Sequence, residues 1–437
     1  MERLLMQELC KWKDKQNHKP LLLNGARQVG KTWLMKEFGH RYYKNVVYIN
    51  FDNRESLKSV FAMDYDTDRI ISALRIECGK AFTADDTLLI FDELQEIPRA
   101  LASLKYFCEN APEYHIIAAG SLMGIALHEG TSFPVGKVEL LEVHPLSFKE
   151  FLYAVNEAGL AGAIQQRNFS LLNAFSDKLS HWLRLYYYIG GMPEAVQCYI
   201  NTDDLKEVRK IQKNLLQFYE NDFSKHIPKD QFPRVQMVWR SLPAQLAKEN
   251  RKFIYGLVRE GARAKDYELA IEWLQAYGLI HKSIRVSKPG LPLISYAEQN
   301  SFKLFLLDTG LLAAMGDIPA KVLLEGNRIF TEFKGALTEQ FAAQELIVAG
   351  KTLYYYSTSN SSAEIDFIIQ CGENIIPLEV KAEENLRAKS LRVFCQKYAP
   401  QIALRSSLSG YREEEWLTNV PLYSLAEYIT TLEDSIF

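Results

Sequence analysis

Eight residues, Gly25-Ala26-Arg27-Gln28-Val29-Gly30-Lys31-Thr32, carry the spacing G-x-x-x-x-G-K-T. They follow the apolar run Leu21–Leu23 and precede the helical stretch Trp33–Phe38. Glycines at both ends of such a loop let successive backbone N–H groups face one anion, because no Cβ obstructs the approach. The N-terminus of the following helix adds partial positive charge. Lys31 is expected to reach the outer phosphates of ATP, and Thr32 to ligate Mg2+. A chance glycine-rich turn is the bland reading, and the flanking strand and helix weigh against it.

A second run, Thr87-Leu88-Leu89-Ile90-Phe91-Asp92-Glu93, is apolar and then doubly acidic. Two adjacent carboxylates at the end of a buried strand are costly without a cation. Asp92 is expected to hold Mg2+ through its water shell and Glu93 to orient or deprotonate the attacking water. A third run, Ile116–Ala119, leads to Gly120-Ser121. Ser121 either senses the terminal phosphate or caps the next helix, and the sequence leaves both open.

A separate constellation lies near the C-terminus. Ala363-Glu364-Ile365-Asp366-Phe367-Ile368-Ile369 is followed by the turn Cys371–Asn374 and then Ile375-Ile376-Pro377-Leu378-Glu379-Val380-Lys381. Alternate strand residues share a face, so Glu379 and Lys381 project together, and a hairpin would bring Asp366 beside them. An acid followed by E-x-K on the adjoining strand is the pattern of the PD-(D/E)xK nuclease superfamily. By that pattern Asp366 and Glu379 bind Mg2+, Lys381 steadies or activates water at a phosphodiester, and Glu339 on the preceding helix is an additional acid. The competing reading is a solvated strand whose Glu–Lys pair protects an edge.

The segments G-x-R-Q-V-G-K-T, F-D-E-L-Q-E-I-P, A-A-G-S-L-M-G, S-F-P-V-G-K and H-P-L-S-F-K-E-F together resemble a prokaryotic family of AAA-type ATPases. The resemblance extends over the whole chain, including Gly190-Gly191-Met192-Pro193-Glu194. It implies a C-terminal domain of unassigned function with a restriction-endonuclease-like fold. This chain has Lys137 where that family carries arginine after the P-V-G element, and lysine lacks the planar fork that grips phosphate bidentately.

These residues need a scaffold, and 437 residues exceed a single hydrophobic core. Residues 1–150 alternate strands (Leu21–Leu23, Val46–Phe51, Leu88–Phe91, Ile116–Ala119) with amphipathic stretches, which predicts α/β with a parallel sheet, and the resemblance implies that this is a P-loop NTPase core of AAA type. Residues 151–225 read as a helical lid broken at Gly190-Gly191-Met192-Pro193. Residues 226–320 read as helices followed by a hairpin, a winged-helix-like domain. Arg259, Arg263 and Lys265 before its presumed recognition helix, with Lys282, Arg285 and Lys288 on the wing, form a local basic set that fits DNA or RNA, although such folds also bind proteins. Residues 321–437 are expected to form the restriction-endonuclease-like α/β domain. The clusters Tyr186-Tyr187-Tyr188 and Tyr354-Tyr355-Tyr356 could stack on bases, but aromatic residues in such elements more often pack.

Composition narrows the classes. With 48% hydrophobic and 24% charged residues the chain reads as globular, and no segment approaches a membrane span. Acids near the N-terminus are unlike a signal peptide, and six scattered cysteines with no C-x-x-C favour a reducing cytoplasm. A net charge of −3 gives no global attraction for nucleic acid. The expectation is Mg2+-dependent ATP hydrolysis coupled to a nuclease-like domain acting on nucleic acid, with a homo-oligomer or a protein partner in view. The alternative is an ATP-gated interaction protein whose nuclease-like domain does not cut. A P-loop kinase is weaker, since Glu93 has no role in it.

Overall fold

Leu88, Leu89, Ile90 and Phe91 are all 0% exposed, as a strand covered on both faces must be. The computed structural model describes residues 1–52, 54–120, 133–248, 251–325, 331–358, 363–382 and 388–434. Two compact units divide the chain, Arg3–His144 and Pro145–Phe437, the latter with Met1–Glu2.

The first unit holds β1 (Leu21–Asn24), β2 (Asn45–Asn50), β3 (Thr87–Asp92), β4 (His115–Ala119) and β5 (Glu139–Glu142). All pairs are parallel, in the order β2-β3-β4-β1-β5. The helices are α1 (Leu5–Lys13), α2 (Lys31–Tyr42), α3 (Glu55–Met63), α4 (Thr67–Cys78) and α5 (Pro98–Asn110). Parallel pairing needs a crossover between strands, supplied by α2 between β1 and β2, by α3 and α4 between β2 and β3, and by α5 between β3 and β4. Strand β5 goes beyond the expectation. Its sequence Glu-Leu-Leu-Glu has no apolar run, and it is an edge strand paired only with β1.

The second unit begins with helices. Ser147 and Glu150 form a reciprocal capping box that starts α6 (Phe148–Ala154). It is followed by α7 (Ala158–Gln165), α8 (Phe169–Ala174), α9 (Ser176–Ile189), α10 (Pro193–Thr202) and α11 (Leu205–His226). Next come α12 (Phe232–Leu246), α13 (Tyr255–Val258), α14 (Ala264–Ala276) and the antiparallel pair β6 (Ile280–Val286) and β7 (Ala297–Leu306). The remainder is α15 (Thr309–Met315), α16 (Ala320–Glu325), α17 (Thr331–Val348), β8 (Tyr354–Ser357), β9 (Glu364–Cys371), β10 (Asn374–Val380), α18 (Lys389–Tyr398), β11 (Leu404–Ser407), β12 (Arg412–Glu413), β13 (Thr418–Pro421) and α19 (Leu425–Asp434).

The expected wing is not free-standing. Strand β6 pairs with β7 on one side and, in parallel, with β8 on the other, so the hairpin ends an eight-stranded sheet ordered β12-β13-β11-β10-β9-β8-β6-β7. The boundaries drawn at 225/226 and 320/321 therefore fall inside one compact unit: α11 runs across the first and the shared sheet spans the second. The helices expected as a lid belong to that same unit. Within it the Gly-Gly break has a steric cause: a Cβ at Gly191 would lie 2.0 Å from the carbonyl oxygen of Leu146. The Gly191 N–H donates to Asp308 Oδ2 at 2.6 Å, and Asp308 also caps α15 through the N–H of Leu311.

Helix α17 is buried on polar and apolar faces alike, which requires a partner for each polar group. Gln340 pairs with the main chain of Leu306 in both directions, accepting at 2.8 Å and donating at 2.6 Å. Gln344 accepts from Thr309 N at 3.1 Å and donates to the Tyr186 hydroxyl at 2.6 Å.

Candidate nucleotide site and C-terminal charge cluster

The loop between β1 and α2 is built as its glycines require. Gly25 has φ 145°, and a Cβ there would meet the Val143 carbonyl oxygen at 2.2 Å. Gly30 has φ 93° and stands at the N-terminus of α2. Ala26 and Val29 are buried, Arg27 is half-buried, and Gln28 is exposed in the left-handed region. Lys31 is buried and donates to the carbonyl oxygens of Gly25 at 2.8 Å and Ala26 at 2.7 Å. Burial pulls its ammonium down to about 8, against the opposing effect of Glu93 and Asp92.

Thr32 Oγ1 donates to Asp92 Oδ2 at 2.7 Å. Tyr48, from β2, donates its hydroxyl to the same oxygen at 2.9 Å. Asp92 Oδ1 accepts from the Glu93 N–H at 3.1 Å. Glu93 itself lies in the left-handed region, φ 56°, and its Oε2 accepts from Gln95 Nε2 at 2.5 Å. These groups fit a magnesium nucleotide: a loop closed to a side chain at Gly25, a buried ammonium, and a hydroxyl and carboxylate converging as hard oxygen donors. Thr32 and Asp92 would hold the cation, which neutralises charge on the phosphates during transfer.

Ser121 lies outside the described residues. Lys137 pairs with Glu109 at 2.9 Å on the surface. Three contributors escaped the sequence reading. Arg3 is buried and donates to the Val29 and His144 carbonyl oxygens, at 3.0 and 2.7 Å, tying the phosphate loop to the end of β5. Tyr48 and Gln95 are the others. Gln95 could have been found from its place two residues past Glu93, whereas no spacing marks Arg3.

In the second unit β9 and β10 are antiparallel, with Leu378 opposite Phe367, so Asp366 and Glu379 do lie on adjoining strands. Their partners are protein groups. Asp366 Oδ2 accepts from Val380 N at 2.8 Å, and Glu379 accepts from Leu391 N at 3.2 Å and pairs with Lys381. Glu339 is enclosed by two cations: Lys303 Nζ at 2.8 Å and the guanidinium of Arg251. Lys303, 0% exposed, also reaches Glu364 at 2.6 Å. Burial opposes the charge on Lys303, yet Glu339, Glu364 and Asp366 hold its ammonium above the ordinary lysine range. Burial and then the charge of Glu339 push the Asp366 carboxyl up to about 7. Among the described residues no group of three or more His, Cys, Asp or Glu side chains could hold a metal ion. The expected set of Glu339, Asp366 and Glu379 thus does not fit a divalent cation as arranged. Sequence reasoning missed Arg251 and Lys303 because they lie 88 and 36 residues before Glu339.

The basic set divides as well. Arg285 is bound to the Ser357 carbonyl oxygen and to Glu298, and the Lys282 ammonium lies 4.3 Å from the Phe302 ring centre. Arg259, Arg263 and Lys265 are exposed.

Comparison with known families matches an AAA domain to residues 17–152. The first unit carries a P-loop ATPase domain of AAA type. Beyond this AAA domain, residues 180–322 match a domain of unknown function, DUF8612, and residues 334–425 another, DUF4143. Among solved structures the chain is similar to the Walker-type ATPase PABY2304 of Pyrococcus abyssi, with 17% identity, 71% of this chain and 94% of that one covered, and a TM-score of 0.43. It is similar also to the Aeropyrum pernix ORC1 protein in complex with DNA, with 12% identity, 73% and 92% covered, TM-score 0.27. A third similar structure is Cdc6p from Pyrobaculum aerophilum, with 12% identity, 75% and 96% covered, TM-score 0.27. No curated protein matches. Among the described residues no helix is long and apolar enough to cross a membrane.

Proposed function

We propose that the AAA domain binds ATP with Mg2+ and hydrolyses it, and that the nucleotide state gates a C-terminal module which binds its target without cutting it. The observation that carries the first part is the convergence of Thr32 and Asp92 beside a buried Lys31. In this reading Lys31 bears on the outer phosphates, and Glu93 takes a proton from the attacking water as its oxygen bonds to the terminal phosphorus and the bridging P–O bond breaks, giving ADP and phosphate. Asp366 and Glu379 on adjoining strands, with Lys381 just past the second, support a nuclease-like ancestry for residues 321–437. The pairing of Glu339 with Arg251 and Lys303 favours the non-cutting version. Arg259, Arg263 and Lys265 are the surface through which DNA or RNA would be met, a protein target being the alternative.

The test is paired. Lys31→Ala should lower ATP affinity by at least about tenfold, whereas Glu93→Gln should bind ATP normally and lose turnover. Unchanged affinity in a folded Lys31→Ala protein would show the site to be elsewhere. Full-length protein should release phosphate yet leave DNA and RNA intact in Mg2+ or Mn2+.

A further inference from the structure

We propose that the ammonium of Lys303, assisted by the guanidinium of Arg251, is the resident counter-ion of the C-terminal carboxylate cluster and stands in for the divalent cation that the E-x-K pattern implies. The inference deepens the non-cutting reading above and rests on the nuclease-like reading of residues 321–437.

Three observations carry it. The first is charge. Glu339, Glu364, Asp366 and Glu379 face Arg251, Lys303 and Lys381, so the cluster is balanced to within one charge before any ion arrives. Asp366 feels the charges of Glu339 and Glu379 against those of Lys303 and Arg251.

The second is geometry. The Lys303 nitrogen lies between two carboxylates, 2.8 Å from Glu339 and 2.6 Å from Glu364, as a bridging cation would. These are ammonium–carboxylate hydrogen-bond lengths, longer than the ~2.1 Å of Mg2+–oxygen bonds. A cation entering here must displace a side chain that has no contact with solvent. Leaving that ammonium buried and unpaired would cost more than a weakly held ion returns.

The third is where the cations come from. Lys303 belongs to β7 and Arg251 to the connection after α12, whereas the acids belong to α17, β9 and β10. Both cations lie within residues 180–322 and all four acids within residues 334–425, so the two matched regions complete one cluster between them. The hairpin that resembled a wing thereby acquires a role: it delivers a lysine to Glu339 and Glu364, close enough to feel the charge of the pattern's Asp366.

The test uses the full-length, nucleotide-free protein, with calorimetric Mn2+ titration and thermal melts in chelator and in millimolar Mn2+. Wild-type protein should show no Mn2+ binding that depends on Glu339 or Asp366, and the same melting temperature in both buffers. Lys303→Met should melt about 10 °C lower in chelator and recover at least half of that loss in Mn2+, because Glu339 and Glu364 then lack their bridge. Lys303→Met combined with Glu339→Gln should melt above the single variant in chelator and gain nothing from Mn2+. Should Lys303→Met fail to fold, the wild-type titration decides alone, with Glu339→Gln and Asp366→Asn as its controls. Wild-type Mn2+ binding that these controls abolish overturns the proposal. Such binding without cleavage would leave the non-cutting reading standing, and such binding with cleavage would remove both. A folded Lys303→Met protein that Mn2+ does not rescue overturns it too.

Discussion

The hydroxyls of Thr32 and Tyr48 both donate to Oδ2 of Asp92, so one carboxylate oxygen joins α2, β2 and β3. Thr32 can be picked out from the spacing of the loop alone. Tyr48 enters only through the parallel pairing of β2 with β3, which sets Asn50 opposite Asp92 and Tyr48 two residues before it.

Tyr48→Phe keeps the ring and removes one of the two donors. Stability should fall by about 1 kcal/mol, and the Mg2+ concentration needed for half-maximal ATP binding should rise severalfold because Asp92 is less firmly aimed. Nucleotide titrations at graded Mg2+ check this. An unchanged Mg2+ dependence would leave Tyr48 with a packing role.

Lys31 gives a proton signature. Its ammonium is depressed to about 8 in the nucleotide-free protein, and phosphate favours the charged form, so ATP binding should take up a fraction of a proton near pH 8. Affinity should weaken as pH rises through that value. In the nucleotide-free fold the sign is that of a depressed lysine: its contribution to stability is present above the unfolded value and lost as pH falls through about 8. Calorimetry in buffers of different ionisation enthalpy measures the uptake, and none near pH 8 contradicts the assignment.

Glu345 predicts a pH effect in the second unit. Burial pushes its carboxyl up to about 7; the N–H of Phe148 and the charge of Lys149 act against that, and Glu150 and Glu427 act with it. A raised carboxyl contributes stability that is fully present below its unfolded value, ~4.3, and is lost as pH rises through about 7. Glu345→Gln keeps an acceptor for Phe148 N and cannot ionise. Its melting temperature should exceed that of wild type above pH 7 and vary less between pH 5 and 8. Parallel curves for the two proteins would refute the argument.

Gly191→Ala should be severely destabilising, by about 3 kcal/mol or more, since the new methyl meets the backbone carbonyl and nitrogen of Leu146 and backbone cannot retreat as a flexible side chain can. Denaturant melts report it. A loss below about 1 kcal/mol would mean that the α9–α10 junction yields.

Arg263→Ala with Lys265→Ala should leave stability unchanged and lower the salt dependence of any DNA or RNA binding by about one unit per lost phosphate contact. Arg285→Ala should instead destabilise, because its guanidinium holds the Ser357 carbonyl oxygen and Glu298. A gel-shift series over salt, with melts alongside, separates the two effects.

Local pattern carried much of this structure. The phosphate loop, the acidic strand end and strands β1 to β4 depend on neighbours in sequence, and they stand where spacing put them. What escaped were pairings over long separations. Strand β5 has no apolar run and exists through β1; β6 reads as a wing until β8 is seen beside it; Glu339 reads as a metal ligand until Lys303 and Arg251 arrive from distant segments. Charge identity at one position is legible, whereas its neutralisation is a property of the tertiary fold.

The carboxamide of Gln340 meets the main chain of Leu306 as a neighbouring strand would, with one bond accepted and one donated. Strand β7 is the last in its sheet, and an open last strand is a template on which another chain can grow. At Leu306 that template is already filled by a helix of the same molecule. The opposite edge is β12, two exposed charged residues long, too short to recruit a partner. Growth of the sheet between molecules is thereby opposed at Leu306, and Gln340→Leu should reveal that part as concentration-dependent aggregation of a protein that still folds.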